Sequence, residues 1–114
     1  MANLKLIEEA ETHTTIALGG KLDMDGSWQM ERDLMDYVSV DMRHLLIDLS
    51  GVDFLGSMGI RVLVRSASAL MRKQKKLVLF AAQAPVEKTL KVSGFTSAVP
   101  VVPTLKDAMA AIGL

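Results

Sequence analysis

The 114-residue chain predicts an α/β fold with a mostly parallel sheet of four or five strands, an antiparallel strand at its N-terminal edge and about four helices. Three observations carry this expectation. The runs at 45–49 (LLIDL) and 77–81 (LVLFA) are almost continuously apolar, as strands covered on both faces are. Segments with apolar residues at helical spacing alternate with the strand-like runs, which implies right-handed crossovers and parallel neighbours. The first two strand-like segments are joined by a short charged bend and read as a hairpin.

Residues 4–9 (LKLIEE) alternate apolar and polar, and 13–19 (HTTIALG) form the second strand after the bend from Glu8 to Glu11. Gly19 and Gly20 interrupt it near its end. Asp23, Asp25 and Gly26 make a turn, and Asp25 or Ser27 is placed to cap the helix over 27–39, where Met30, Leu34 and Val38 share a face beside Tyr37. The 45–49 run is the expected central strand, with its exit marked by Gly51 and Asp53. The next helix shows one apolar face, Ile60, Leu63, Val64, Ala67, Leu70 and Met71, opposite Arg61, Arg65, Ser68 and Arg72. After the 77–81 strand, Pro85 suits a helix start, Val86 and Leu90 lie four apart, and Gly94 is a stop. Residues 98–102 read as a last strand, at an edge because of Pro100. Thr104 and Asp107 resemble a capping box for a terminal helix lined by Leu105, Ala108, Met109 and Ile112. Without repeats or linkers, residues 1–114 are expected to form one domain.

Half of the residues are apolar and 23% are charged, so the chain reads as globular. Thirteen basic residues balance thirteen acidic ones, which leaves no overall field for nucleic acid. Cysteine is absent, so disulfides and thiol chemistry are excluded. The N-terminal residues do not read as a secretory signal, and no apolar run is long enough to span a bilayer. The expected location is the cytoplasm.

Catalytic and cofactor chemistry finds little support. His13 and His44 are far apart and lack the partners of a metal site. Neither GxxxxGK[ST] nor GxGxxG occurs. Gly56-Ser57-Met58-Gly59 is one residue short of a hydrolase elbow, and Ser57 has no evident base. Asp23, Asp25 and Asp53 fit the acidic set of a phosphoacceptor receiver poorly. Arg61, Arg65 and Arg72 read as a solvated helix side. No cofactor and no enzymatic activity are expected.

The segment from Asp53 to Gly59 is different in kind. It lies where a strand becomes a helix, at the carboxyl end of the sheet where open α/β folds collect their ligands. Phe54 and Ile60 read as core. Gly56 and Gly59 flank Ser57 and Met58 and let a partner approach the backbone.

The stretch LLIDLSGVDFLGSMGIRVLV resembles the STAS domain of bacterial anti-sigma factor antagonists. Gly20-Lys21-Leu22-Asp23 is similar to that family's G-E-L-D turn, and Val92-Ser93-Gly94-Phe95 to its closing S-G-L/F signature. The resemblance implies a STAS-like fold and a binding protein in a partner-switching pathway. The implied partners are an ATPase-fold anti-sigma serine kinase, which phosphorylates the turn and so releases the antagonist, and a phosphatase that resets it. Asp23, Leu55, Gly56, Ser57, Met58, Gly59 and Arg61 are the residues expected at the interface. Met58 stands at the family's usual phosphoacceptor position and Gly56 at its acidic one, so Ser57 is the implied acceptor, in a shifted register. The same departure leaves room for a second role, a STAS accessory subunit of a lipid-transport ATPase complex or a stress-sensing scaffold without a phospho-switch. Self-association is compatible with either.

Overall fold

The computed structural model describes residues 2–39 and 43–114. Five strands form one sheet in the order β1 (Asn3–Glu9), β2 (His13–Leu22), β3 (His44–Leu55), β4 (Leu77–Phe80) and β5 (Val101–Val102). The β1–β2 pair is antiparallel and every other pair is parallel. Four helices connect or follow them: α1 (Met24–Ser39), α2 (Ser57–Arg72), α3 (Ala84–Val92) and α4 (Leu105–Ala111). The predicted α/β architecture, the hairpin and the central place of the 45–49 run all agree with this arrangement.

The sheet is covered on both faces, and β3 shows how. Leu45, Ile47 and Leu49 join a large core with Leu34 and Val38 of α1, Leu63 and Leu70 of α2, and Val86 and Leu90 of α3. Leu46, between them, points the other way and packs with Val78, Phe80 and Ala108 under α4. A strand with both faces buried needs no polar alternation, which is why LLIDL is so apolar. Each fully buried leucine contributes about 2 kcal/mol of transfer free energy.

Two elements run differently from expectation. The last strand was expected over 98–102 and is only Val101–Val102, because the N–H groups of Ala98 and Val99 both turn back to the Phe95 carbonyl, at 3.1 Å each, after the 3-10 turn at Phe95–Ser97. Pro100 has no N–H for the ladder, although its carbonyl accepts from Leu79 N at 3.0 Å. β3, with its exit expected at Gly51 and Asp53, continues to Leu55. Its pairing with β2 slips twice, between Ala17 and Gly19 and between Gly20 and Lys21, each time with an extra residue on β3. These bulges break the two-residue period, so that Leu49, Val52 and Leu55 all point into the core. Phe54, expected as core, is turned outward and is 48% exposed.

The start of α4 and the end of α3 follow their local signals. Thr104 Oγ1 accepts from Asp107 N at 3.1 Å and caps α4 as expected, but Asp107 Oδ2 accepts from the Thr104 hydroxyl at 3.0 Å and not from its backbone N–H, so the reciprocal half of the capping box is replaced by a side-chain pair. Gly94 has φ +83°, the left-handed conformation that ends α3. On α2, Val62, Leu63, Ser66, Ala67 and Leu70 are buried. Val64 and Met71, expected on the inner face, are exposed.

Candidate functional site

The carboxyl ends of β2 and β3 lie side by side, with Leu22 paired to Leu55. The helices that follow, α1 and α2, begin there together. Gly56 N donates to the Leu22 carbonyl at 3.0 Å, which ties the second strand–helix junction to the first. Glycine is required at two places in this join. A Cβ on Gly59 would stand 2.7 Å from Leu55 Cδ1, 2.9 Å from Leu22 Cβ and 3.0 Å from the Leu22 carbonyl oxygen. A Cβ on Gly26 would collide with the Lys21 carbonyl oxygen. Close approach of α2 to β2, and of α1 to its own entry turn, therefore depends on the missing side chains.

Asp23 caps α1. Its Oδ1 accepts from Gly26 N at 2.8 Å, and its carbonyl accepts from Ser27 N at 2.9 Å. Neither Asp25 nor Ser27, the capping residues expected from sequence, has that role; Ser27 is fully buried. The helix starts earlier than the 27–39 pattern indicates because Asp25, Gly26 and Ser27 are polar or small and Met24 lies off the Met30, Leu34 and Val38 stripe, so the first turn adds nothing to that apolar period.

At α2 the arrangement is different. Gly56 is the N-cap, extended at φ −97° and ψ −179°, and offers no side chain to the first turn. That turn contains no acidic residue. Ser57, the first helical residue, is exposed, and among the described residues its hydroxyl makes no hydrogen bond. Helix N-termini carry unsatisfied N–H groups and the positive end of the helix dipole. Ser57 holds its hydroxyl at that positive end.

The expected interface residues divide by exposure. Asp23, Ser57 and Arg61 are exposed, and Gly56 and Met58 are half-buried. Leu55 and Gly59 are buried, so they form the floor of the turn and present nothing to a partner; Leu55 is only 6% exposed because the second bulge turns it inward. Three exposed apolar residues missed from sequence flank the turn: Met24 at 61%, Trp28 at 64% and Phe54 at 48%. A readable signal existed for the first two. Met24 and Trp28 are four apart and fall outside the Met30, Leu34 and Val38 stripe.

The arginines of α2 do not act as a set. Arg65 Nη1 bonds Glu31 Oε2 at 2.8 Å and ties α2 to α1, while Arg61 and Arg72 point to solvent. His13 and His44 begin β2 and β3, so both lie at the end of the strands away from Ser57. Among the described residues no three His, Cys, Asp or Glu side chains converge to hold a metal ion, and no helix is long and apolar enough to cross a membrane.

Comparison with known proteins bears on the family and the fold. The STAS domain family's sequence pattern matches residues 5–108. BtrV of Bordetella bronchiseptica, which carries an anti-sigma factor antagonist name, is 32% identical over 94 residues, covering 82% of this chain and 81% of the relative. The anti-sigma-F factor antagonist RsfB of Mycobacterium tuberculosis is 26% identical over 97 residues, covering 85% of this chain and 79% of the relative. The crystal structure of an anti-sigma factor antagonist from Mycobacterium paratuberculosis superposes with a TM-score of 0.83 at 26% identity, over 96% of this chain and 94% of that one.

Proposed function

The chain belongs to the STAS domain family, with anti-sigma factor antagonists among its relatives, and from that premise we propose that it binds an ATPase-fold anti-sigma serine kinase in a partner-switching pathway. The contact surface is the junction of Asp23, Gly56, Ser57, Met58 and Arg61, widened by the exposed Met24, Trp28 and Phe54. The role is binding, not catalysis. Ser57 is the residue through which phosphorylation controls it, and a phosphatase resets it.

One observation supports this reading above the others: the exposed Ser57 hydroxyl at an α2 N-terminus without side-chain cap or acidic residue. A phosphoryl group there would add about −2 charge at pH 7. The uncapped N–H groups and the helix dipole would tolerate that charge. A partner packed on Met24, Trp28 and Phe54 would meet it as a buried, unpaired charge, which is costly. Phosphorylation would thus weaken the complex far more than the fold. Met58, half-buried and without a hydroxyl, supports a second reading, an accessory subunit of another assembly that binds through the same junction and is never phosphorylated.

The test is incubation with the anti-sigma kinases encoded in the same genome and ATP, followed by localisation of phosphate by mass spectrometry. Phosphate on Ser57, absent from Ser57→Ala, is expected, together with loss of kinase binding on modification. Stable binding without phosphate transfer would favour the accessory role. Absence of binding to any such kinase would overturn the proposal.

A further inference from the structure

The balanced net charge conceals a segregation along the chain. Residues 1–53 carry eleven acidic and four basic side chains, whereas residues 54–114 carry nine basic and two acidic ones. The first stretch supplies β1, β2, α1 and β3, and the second supplies α2, β4, α3, β5 and α4. Because the strands lie in chain order across the sheet, the acidic and basic populations occupy opposite lateral halves of the molecule.

Each half also exposes apolar surface. On the basic half a groove runs between α2 and the α3 to 3-10 segment, with a volume of about 220 Å³. Ile60, Val64, Ala67 and Met71 form its α2 wall, at the spacing of one helix face about 16 Å long. Lys88 borders the end near Ile60, and Lys75 and Lys76 border the end near Met71. No acidic residue lines the groove. On the acidic half the edge strand β1 exposes Leu6 at 42% and Ile7 at 50%. Glu8 and Glu9 follow on the strand, and Asp33 and Asp36 of α1 stand beside Leu6 across a shallow cleft. Among the described residues, Asp33, Asp36, Lys75 and Lys88 have no ion-pair partner within the chain.

We propose that the α2 groove receives the β1 edge of a second copy of this chain, so that copies associate head to tail. The groove lacks acidic groups and the edge is rich in them, while both are apolar at the centre. Groove against groove would set lysine against lysine, and edge against edge would set carboxylate against carboxylate. Like-charge contact of that kind is strongly disfavoured, so a two-fold pairing through either face is rejected. A heterologous contact between two different faces leaves one groove and one edge free on every dimer, so it builds assemblies larger than two, a ring where the rotation closes and an open chain where it does not. Both faces are distinct from the Ser57 junction, and the association needs no anti-sigma partner.

Sedimentation velocity on the full chain over a concentration series tests this. A ladder of oligomers is expected that collapses toward monomer as salt rises from about 0.05 M to about 0.5 M. Two folded variants, checked by circular dichroism, separate the faces. Lys75→Glu with Lys88→Glu reverses the groove, and Asp33→Lys with Asp36→Lys reverses the edge. Each variant alone is expected to associate at least about tenfold more weakly. An equimolar mixture is expected to restore association, with the two variants alternating, because each variant's groove is again opposite in charge to the other's edge. A chain that is monomeric at every concentration overturns the proposal. So does loss of association on reversing one face but not the other, which would point to sheet-edge pairing or to a groove that serves a different acidic partner.

Discussion

Helices α1 and α2 begin side by side at the carboxyl end of the sheet, and their N-termini are finished in opposite ways. At α1, Asp23 places a carboxylate oxygen 2.8 Å from Gly26 N, and Asp25 adds negative charge to the first turn. At α2 the cap is Gly56, the first turn has no acidic residue, and Ser57 is exposed. α4, far from this junction, is finished like α1, by Thr104 and Asp107. Capping is thus available to this sequence and is withheld at α2. The capped end contributes stability to the fold. The uncapped end keeps its N–H groups and positive dipole for a partner or a phosphoryl group.

The hardest test of the α1 side is Gly26→Ala. Its Cβ meets backbone, the Lys21 carbonyl, which cannot rotate away. A loss of about 3 kcal/mol is expected, at the upper end for overpacking, read from a urea titration. Gly59→Ala should cost less, about 2 kcal/mol in the same titration, since one of its three contacts is the rotatable end of Leu55. Asp23→Ala removes the cap alone and should cost about 1 kcal/mol, with the fold retained by circular dichroism. Ser57→Glu works in the reverse sense at α2. A carboxylate in the uncapped first turn should raise stability by about 0.5 kcal/mol in thermal melts, while abolishing the proposed kinase complex. If Ser57→Glu instead destabilises the domain, the contrast between the two termini fails.

The smallest effect comes from the far end of the strands. Burial, then Lys75, Lys76 and His13, push the His44 pKa below its ordinary 6.5, and His44 Nδ1 accepts from Lys76 N at 3.0 Å. The folded chain therefore binds fewer protons than the unfolded one between those two pKa values. Stability should be full above pH 6.5 and decline as pH falls below it toward the folded pKa. In His44→Asn the amide oxygen can replace Nδ1, and denaturation midpoints between pH 5 and 7.5, roughly the histidine range, should lose that slope.

Much of the site was legible locally. The LLIDL run, the Gly94 stop and the Thr104 cap were readable because each depends on neighbours within a few residues. Ser57 and its flanking glycines were readable for the same reason. Phe54 was misplaced because alternation assumes an unbroken ladder, and two bulges against β2 shift the phase of β3. Val64 and Met71 were assigned to the core because they continue an apolar period. The structure instead leaves that side of α2 as a groove wall.

The sequence by itself determined which segments become strands and helices, their order, and the family likeness of the 45–64 stretch, since these rest on periodicity and short-range chemistry. Tertiary structure alone decided which apolar residues stay outside, that Leu55 lies beneath the turn, and that Asp23 is the cap. It also decided that opposite charges settle on opposite halves. The physical reason is common to all of these: exposure, register and field depend on contacts between segments that are neighbours in space and not in the chain.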